Sequence, residues 1–197
     1  MKKGGLGGEN TQTGAVFEKN TDLATFLHSL KGYTIIDNDY VQLKTKKKKW
    51  KKQFRWKVLF EEKEVGEIFQ QNGLYRYFDE IGHDYQSIIS KKLLPDDSIF
   101  VISKNTVHII EKKWQEGTGS VDEKPQTVHF KMIQYKKLFA PLNKEIEFMY
   151  LFNRSWWDKP VYKDMFDYIL SVGAYYYFDY IPLKKLGLPT PERERNE

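Results

Sequence analysis

Apolar positions recur along the chain with two different periods, and the switch between them predicts the elements. From Thr13 the spacing of Val16, Leu23, Phe26, Leu27 and Leu30 is helical, with Gly32 as the stop signal. Tyr33–Lys44 reads as strand or irregular pairing around the turn residues Asp37-Asn38-Asp39. Val58–Phe60 and Glu64–Phe69 flank a polar turn like a hairpin. Gln70–Gly82 contains LYRYFDEIG and precedes a predicted short helix, Tyr85–Lys92, that Pro95 breaks. Ile99–Ile102 and Thr106–Gln115 are two strands joined at Lys104-Asn105. A polar loop, Glu116–Ser120, opens a long helix to about Phe139. Glu145–Phe152 is a strand, Val161–Ser171 a helix, and Ala174–Tyr180 (AYYYFDY) a last aromatic strand.

This order predicts an α/β (α+β) fold with a mixed central sheet flanked by helices. Nothing in the middle reads as a linker, so residues 1–197 form one predicted domain. The Gly-rich arm 1–14 and the Pro-rich, charged tail 188–197 are expected to be flexible and frayed. The first residues lack the apolar stretch of a secretory signal, and no run approaches the ~18 apolar residues of a spanning helix. The expectation is a cytoplasmic protein with no membrane partner.

Composition narrows the chemistry. The 197 residues are 40% apolar and 16% aromatic, enough for a core, and contain no cysteine. That excludes a disulfide scaffold, thiolate-bound zinc and thiol catalysis. Of the +5 net charge, nine Lys/Arg and no acid fall between Lys44 and Lys57; the remainder carries 23 bases against 27 acids, a net of −4. A mildly acidic domain with one basic stripe points to a polyanion. Lys46, Lys47, Lys48, Lys49, Lys51, Lys52 and Arg55, interleaved with Trp50, Phe54 and Trp56, are expected to touch DNA phosphates. Base readers would come from Gln70, Gln71, Asn72, Arg76 or residues 10–12.

The segment 93–127 carries the candidate chemistry. On the strand Thr106–Gln115, Val107, Ile109, Glu111, Lys113 and Gln115 share one face, about 7 Å apart at successive positions. Folding back at Lys104-Asn105 brings Asp96 or Asp97 to the Glu111–Lys113 end. Two carboxylates and a lysine at a strand end suit Mg²⁺ and phosphoryl chemistry. The bland alternative is a surface hairpin with edge charges. Ser120–Glu123 has capping-box spacing, and the helix start would favour a phosphate near Ser120 and Gln126, with Lys131 and Gln134 facing the duplex or the site. The four histidines lie far apart without metal spacing, and no Gly-x-Ser-x-Gly element occurs.

Pro95-Asp96, fourteen residues, then Glu111-Lys112-Lys113 resembles the PD-(D/E)xK nuclease superfamily, and within it the small type II restriction endonucleases. Gln115, the run Gly119–Thr127, Thr13-Gly14 through Phe17-Glu18, and Ile181–Pro189 resemble one bacterial endonuclease group. The resemblance implies a restriction-endonuclease-like core and Mg²⁺-dependent (Mn²⁺ may substitute), sequence-specific hydrolysis of double-stranded DNA leaving 5′-phosphates. It implies no organic cofactor. Asp96 and Glu111, with Glu18 from the first helix, would hold metal, Lys113 would face water and phosphate, and Gln115 would lie beside them. Asp97 competes with Asp96, because one residue of register decides which points inward. A palindromic target would favour a homodimer. A non-catalytic DNA- or RNA-binding module and a structure-specific repair or junction nuclease on the same core are the alternatives.

Overall fold

Alternation of apolar residues along Thr106–Lys113 and Glu145–Phe152 builds the centre of the protein. A computed structural model describes residues 14–16 (backbone only), 22–37, 54–115 and 124–191. The strands are β1 (Gly14–Val16), β2 (Tyr33–Asp37), β3 (Arg55–Phe60), β4 (Lys63–Phe69), β5 (Asp97–Val101), β6 (Thr106–Lys113), β7 (Glu145–Phe152), β8 (Tyr175–Phe178) and β9 (Tyr180–Pro182). The α-helices are α1 (Leu23–His28), α2 (Gly73–Glu80), α3 (Val128–Phe139), α4 (Arg154–Trp157), α5 (Lys163–Ser171) and α6 (Leu183–Leu186). Strands β2 to β8 form one seven-stranded sheet in sequence order. Neighbours from β2 to β6 are antiparallel, whereas β6, β7 and β8 run parallel. The predicted mixed α/β architecture is therefore present.

Each face of the sheet has its own core, as a period of two demands. Val107 and Ile109 of β6, with Ile146, Phe148, Tyr150 and Phe152 of β7, pack on one side against Val128, Met132, Tyr135 and Phe139 of α3. Leu74, Tyr75 and Phe78 of α2 join the same cluster. Ile110 of β6 and Met149 and Leu151 of β7 face the other side, where Leu23, Phe26 and Leu27 of α1 and Leu183 and Leu186 of α6 cover them. Among the described residues no helix is long and apolar enough to cross a membrane.

Several expected elements differ. Gly14–Val16 is a strand paired with Tyr180–Pro182, and α1 begins only at Leu23, where the Asp22 side chain accepts from Thr25 N at 2.7 Å. Partners from the far end of the chain thus override the local helical spacing. The helix near LYRYFDEIG lies upstream of the expected one. Leu74, Tyr75 and Phe78 form its buried stripe, Gly82 at φ +68° follows its end, and residues 85–88 are turns. The aromatic strand AYYYFDY divides at Asp179, whose φ of +61° breaks the ladder, so that Tyr180 starts β9 in the second sheet. The tail is tied down further than expected. Leu188 is buried and the Pro189 carbonyl accepts from Tyr33 Oη at 2.5 Å.

Candidate active site

The antiparallel register of β5 and β6 decides which aspartate joins the site. Asp97 pairs with Ile110 and Ser98 with Ile109. Asp97 therefore shares the Ile110 face, under α1, while Asp96 belongs beside Glu111 on the α3 face. Asp96 is half-exposed, and its Oδ2 accepts from Lys112 N at 2.8 Å, which holds the carboxylate against the end of β6. The same oxygen lies 3.9 Å from Lys113 Nζ.

Glu111 is only 6% exposed. Its Oε2 accepts from Lys113 Nζ at 2.9 Å and from Lys131 Nζ, on α3, at 2.8 Å. Burial pushes the Glu111 pKa up, but the two ammonium groups outweigh it, and the carboxyl ends below its ordinary value. It is thus a buried carboxylate held ionised. Lys113 Nζ also donates to the Lys112 carbonyl at 3.1 Å and stands 5.5 Å from the centroid of the Tyr150 ring. Tyr135, one helical turn beyond Lys131, is fully buried close to this group, and burial pushes its hydroxyl pKa well up.

The strand end is clamped from β7. Trp157 Nε1 donates to the Lys113 carbonyl at 2.8 Å. The Asn153 side chain accepts from Gln115 N and donates to Gln115 O, both at 2.9 Å. Gln115 is half-buried beside the site, held at its backbone. Neither clamp is marked in the sequence beyond an Asn and a Trp following a strand. Asn153 was not among the expected residues, and Trp157 is a fully buried core side chain.

Asp97 has a different task. It is wholly buried, with Oδ1 accepting from Gln70 Nε2 at 2.7 Å and from Leu23 N at 3.4 Å, and Oδ2 lying 3.0 Å from Lys112 Nζ. Burial raises its pKa against the opposing pull of Lys112, Gln70 and the Leu23 amide. It ties the end of β4 and the start of α1 to β5. Gln70, expected as a candidate base reader, is consumed by this network and buried.

Arg55 also departs from expectation. Its guanidinium side chain is 6% exposed, ion-paired to Glu67 and Glu80 and 5.3 Å from the Tyr77 ring centroid. Alternation along β3 turns it away from solvent, so it is a core ion pair and not a DNA contact. Gln126 is exposed in the 3₁₀ turn Lys124–Thr127 ahead of α3. Glu18, Ser120 and Lys46 to Lys49, Lys51 and Lys52 lie outside the described residues.

Asp96 and Glu111 present hard oxygen donors at one strand end, and both ammonium contacts of Glu111 fall on Oε2. Among the described residues no third His, Asp or Glu completes a larger metal cluster. Two carboxylates with a lysine between them fit a divalent cation that keeps water and substrate oxygens in its remaining positions. No protein-family model, curated protein or solved structure matches the chain.

Proposed function

We propose that this chain is a PD-(D/E)xK-type, divalent-metal-dependent endonuclease that hydrolyses double-stranded DNA at a specific sequence. The observation that carries the reading is the convergence of Asp96, Glu111 and Lys113 on one face of one strand end. There the lysine ammonium lies 2.9 Å from one carboxylate and 3.9 Å from the other. Asp96 and Glu111 would hold Mg²⁺ or Mn²⁺. When bound, such an ion neutralises phosphate charge and lowers the pKa of an attacking water.

The chain's own residues supply the rest. Glu111 is already ionised, so it needs no proton loss to act as a ligand. Lys113, fixed through its backbone by Trp157 and through its side chain by Glu111, keeps positive charge beside the two carboxylates that would hold the ion. Water attacks phosphorus, the bond to the 3′ oxygen breaks, and a 5′-phosphate and 3′-hydroxyl result. The basic stripe would add sequence-independent grip on the duplex, and a palindromic site would call for a homodimer in the cytoplasm.

The test is incubation of phage DNA with the protein in Mg²⁺ or in EDTA. Discrete fragments that vanish with EDTA and with Glu111→Ala support the reading. Binding without cutting under Mg²⁺ and Mn²⁺ overturns it in favour of a non-catalytic module. Cutting confined to branched or flapped DNA overturns the sequence-specific part.

A further inference from the structure

Two lysines meet Glu111, and their surroundings differ. Lys113 comes from the strand, and its side chain is 12% exposed. Its ammonium donates to Glu111 Oε2 and to the Lys112 carbonyl, and its remaining side faces Asp96 and the Tyr150 ring. An ammonium has three donors. Two of those of Lys113 are spent on Glu111 and the strand end, and the third lies inside the site towards Asp96 Oδ2, which is 3.9 Å away.

Lys131 arrives from the opposite layer. It sits on α3 one turn before the buried Tyr135 and so on the same helix face, from which its ammonium reaches Glu111. Its side chain is 26% exposed, and among the described residues its ammonium has one partner, Glu111 Oε2 at 2.8 Å. Within the described residues, that one contact leaves two N–H donors on a side chain that reaches solvent. A flexible stem of four carbons lets the ammonium move outward without breaking the sheet.

We propose that Lys131, and not Lys113, is the lysine that touches a phosphate oxygen of the DNA substrate, with Lys113 as the positioning residue for Asp96 and Glu111. This rests on the nuclease reading of the same site, and it changes which side chain meets the substrate. Lys131 is recruited from a helix about twenty positions downstream of Glu111, outside the Asp-Glu-x-Lys spacing. It serves Glu111 as counter-ion before the duplex arrives and donates to the phosphate afterwards.

The experiment measures binding of a fluorescein-labelled 30-base-pair duplex by anisotropy in EDTA, from 50 to 200 mM KCl, alongside Mg²⁺ cleavage of phage DNA. Each lost phosphate contact lowers the slope of log affinity against log salt by about 0.9. Lys131→Gln should show that loss, so that its affinity falls about 3.5-fold less than the wild type's over the fourfold rise in salt. Lys131→Arg should restore the slope, and Lys113→Gln should leave it at the wild-type value while reducing cleavage. Acetylation footprinting should show Lys131 protected by DNA more strongly than Lys113. Thermal melts of each variant confirm folding, and the arginine variant keeps the test informative if the glutamine variant is unstable. An unchanged slope in Lys131→Gln, or an equal drop in Lys113→Gln, overturns the proposal. A slope change in a protein that never cuts DNA supports the phosphate contact and overturns the nuclease reading alone.

Discussion

Asn153→Ala tests how the fold supports the site. Asn153 is buried at the end of β7, and its side chain makes two hydrogen bonds to the backbone of Gln115 and one to Ser155 Oγ. The two Gln115 bonds hold the last residues of the Glu111–Lys113 strand beside β7. Each neutral bond contributes about 1 kcal/mol net, so the variant should lose about 2 kcal/mol from this clamp. For a chain of this size that corresponds to a fall in Tm of about 4–8 °C. Asn153→Asp keeps the acceptor for Gln115 N but loses the donor, and should fall by about half as much. Thermal melts followed by circular dichroism give the first number, and amide exchange at Gln115 gives the local one. In the nuclease assay a displaced Lys113 should cost about 10²-fold in rate. A Tm within about 1 °C of wild type, with Gln115 exchange unchanged, would refute the clamp.

Three further outcomes follow from the charged groups. Glu111 has a folded pKa below its ordinary value of 4.5, so its stabilising contribution is complete above that pH and is lost as pH falls through the lower folded value. Glu111→Gln should therefore flatten the acid limb of the stability profile, measured by urea unfolding at several pH values. Asp97 carries the opposite sign: its folded pKa is raised, so stability declines as pH climbs from its ordinary value of 3.8 towards the folded one, and Asp97→Asn should remove that decline. Arg55→Met should destabilise by about 3 kcal/mol, because it removes the charged partner of the mostly buried Glu67 carboxylate. Its DNA salt slope should match the wild type's, whereas a surface phosphate contact would lower it.

Much of the sheet is legible from side-chain alternation, since β6 and β7 each carry a period of two that assigns Val107, Ile109 and Glu111 to one face. The choice between Asp96 and Asp97 is not legible that way. It depends on the pairing of Asp97 with Ile110, a register that local sequence leaves open by one residue. Lys131 had no sharper signal than its place on a helix, because its meeting with Glu111 is made by packing α3 on the sheet. Arg55 misled for the opposite reason. Counted among its basic neighbours it reads as surface charge, but strand alternation on β3 turns it onto two glutamates. Gly14–Val16 carries no local mark of a strand, and its partner Tyr180–Pro182 lies at the other end of the chain.

The central claim is that Asp96, Glu111 and Lys113 form one metal-dependent phosphodiester-cleaving centre. The most direct measurement is single-turnover cleavage of plasmid DNA in Mg²⁺ by the wild type beside Asp96→Asn, Glu111→Gln and Lys113→Gln, all shown to be folded. The expected result is cutting by the wild type alone, with each variant slower by about 10²-fold or more. Cutting by Glu111→Gln at the wild-type rate, or none by the wild type with either Mg²⁺ or Mn²⁺, would contradict it.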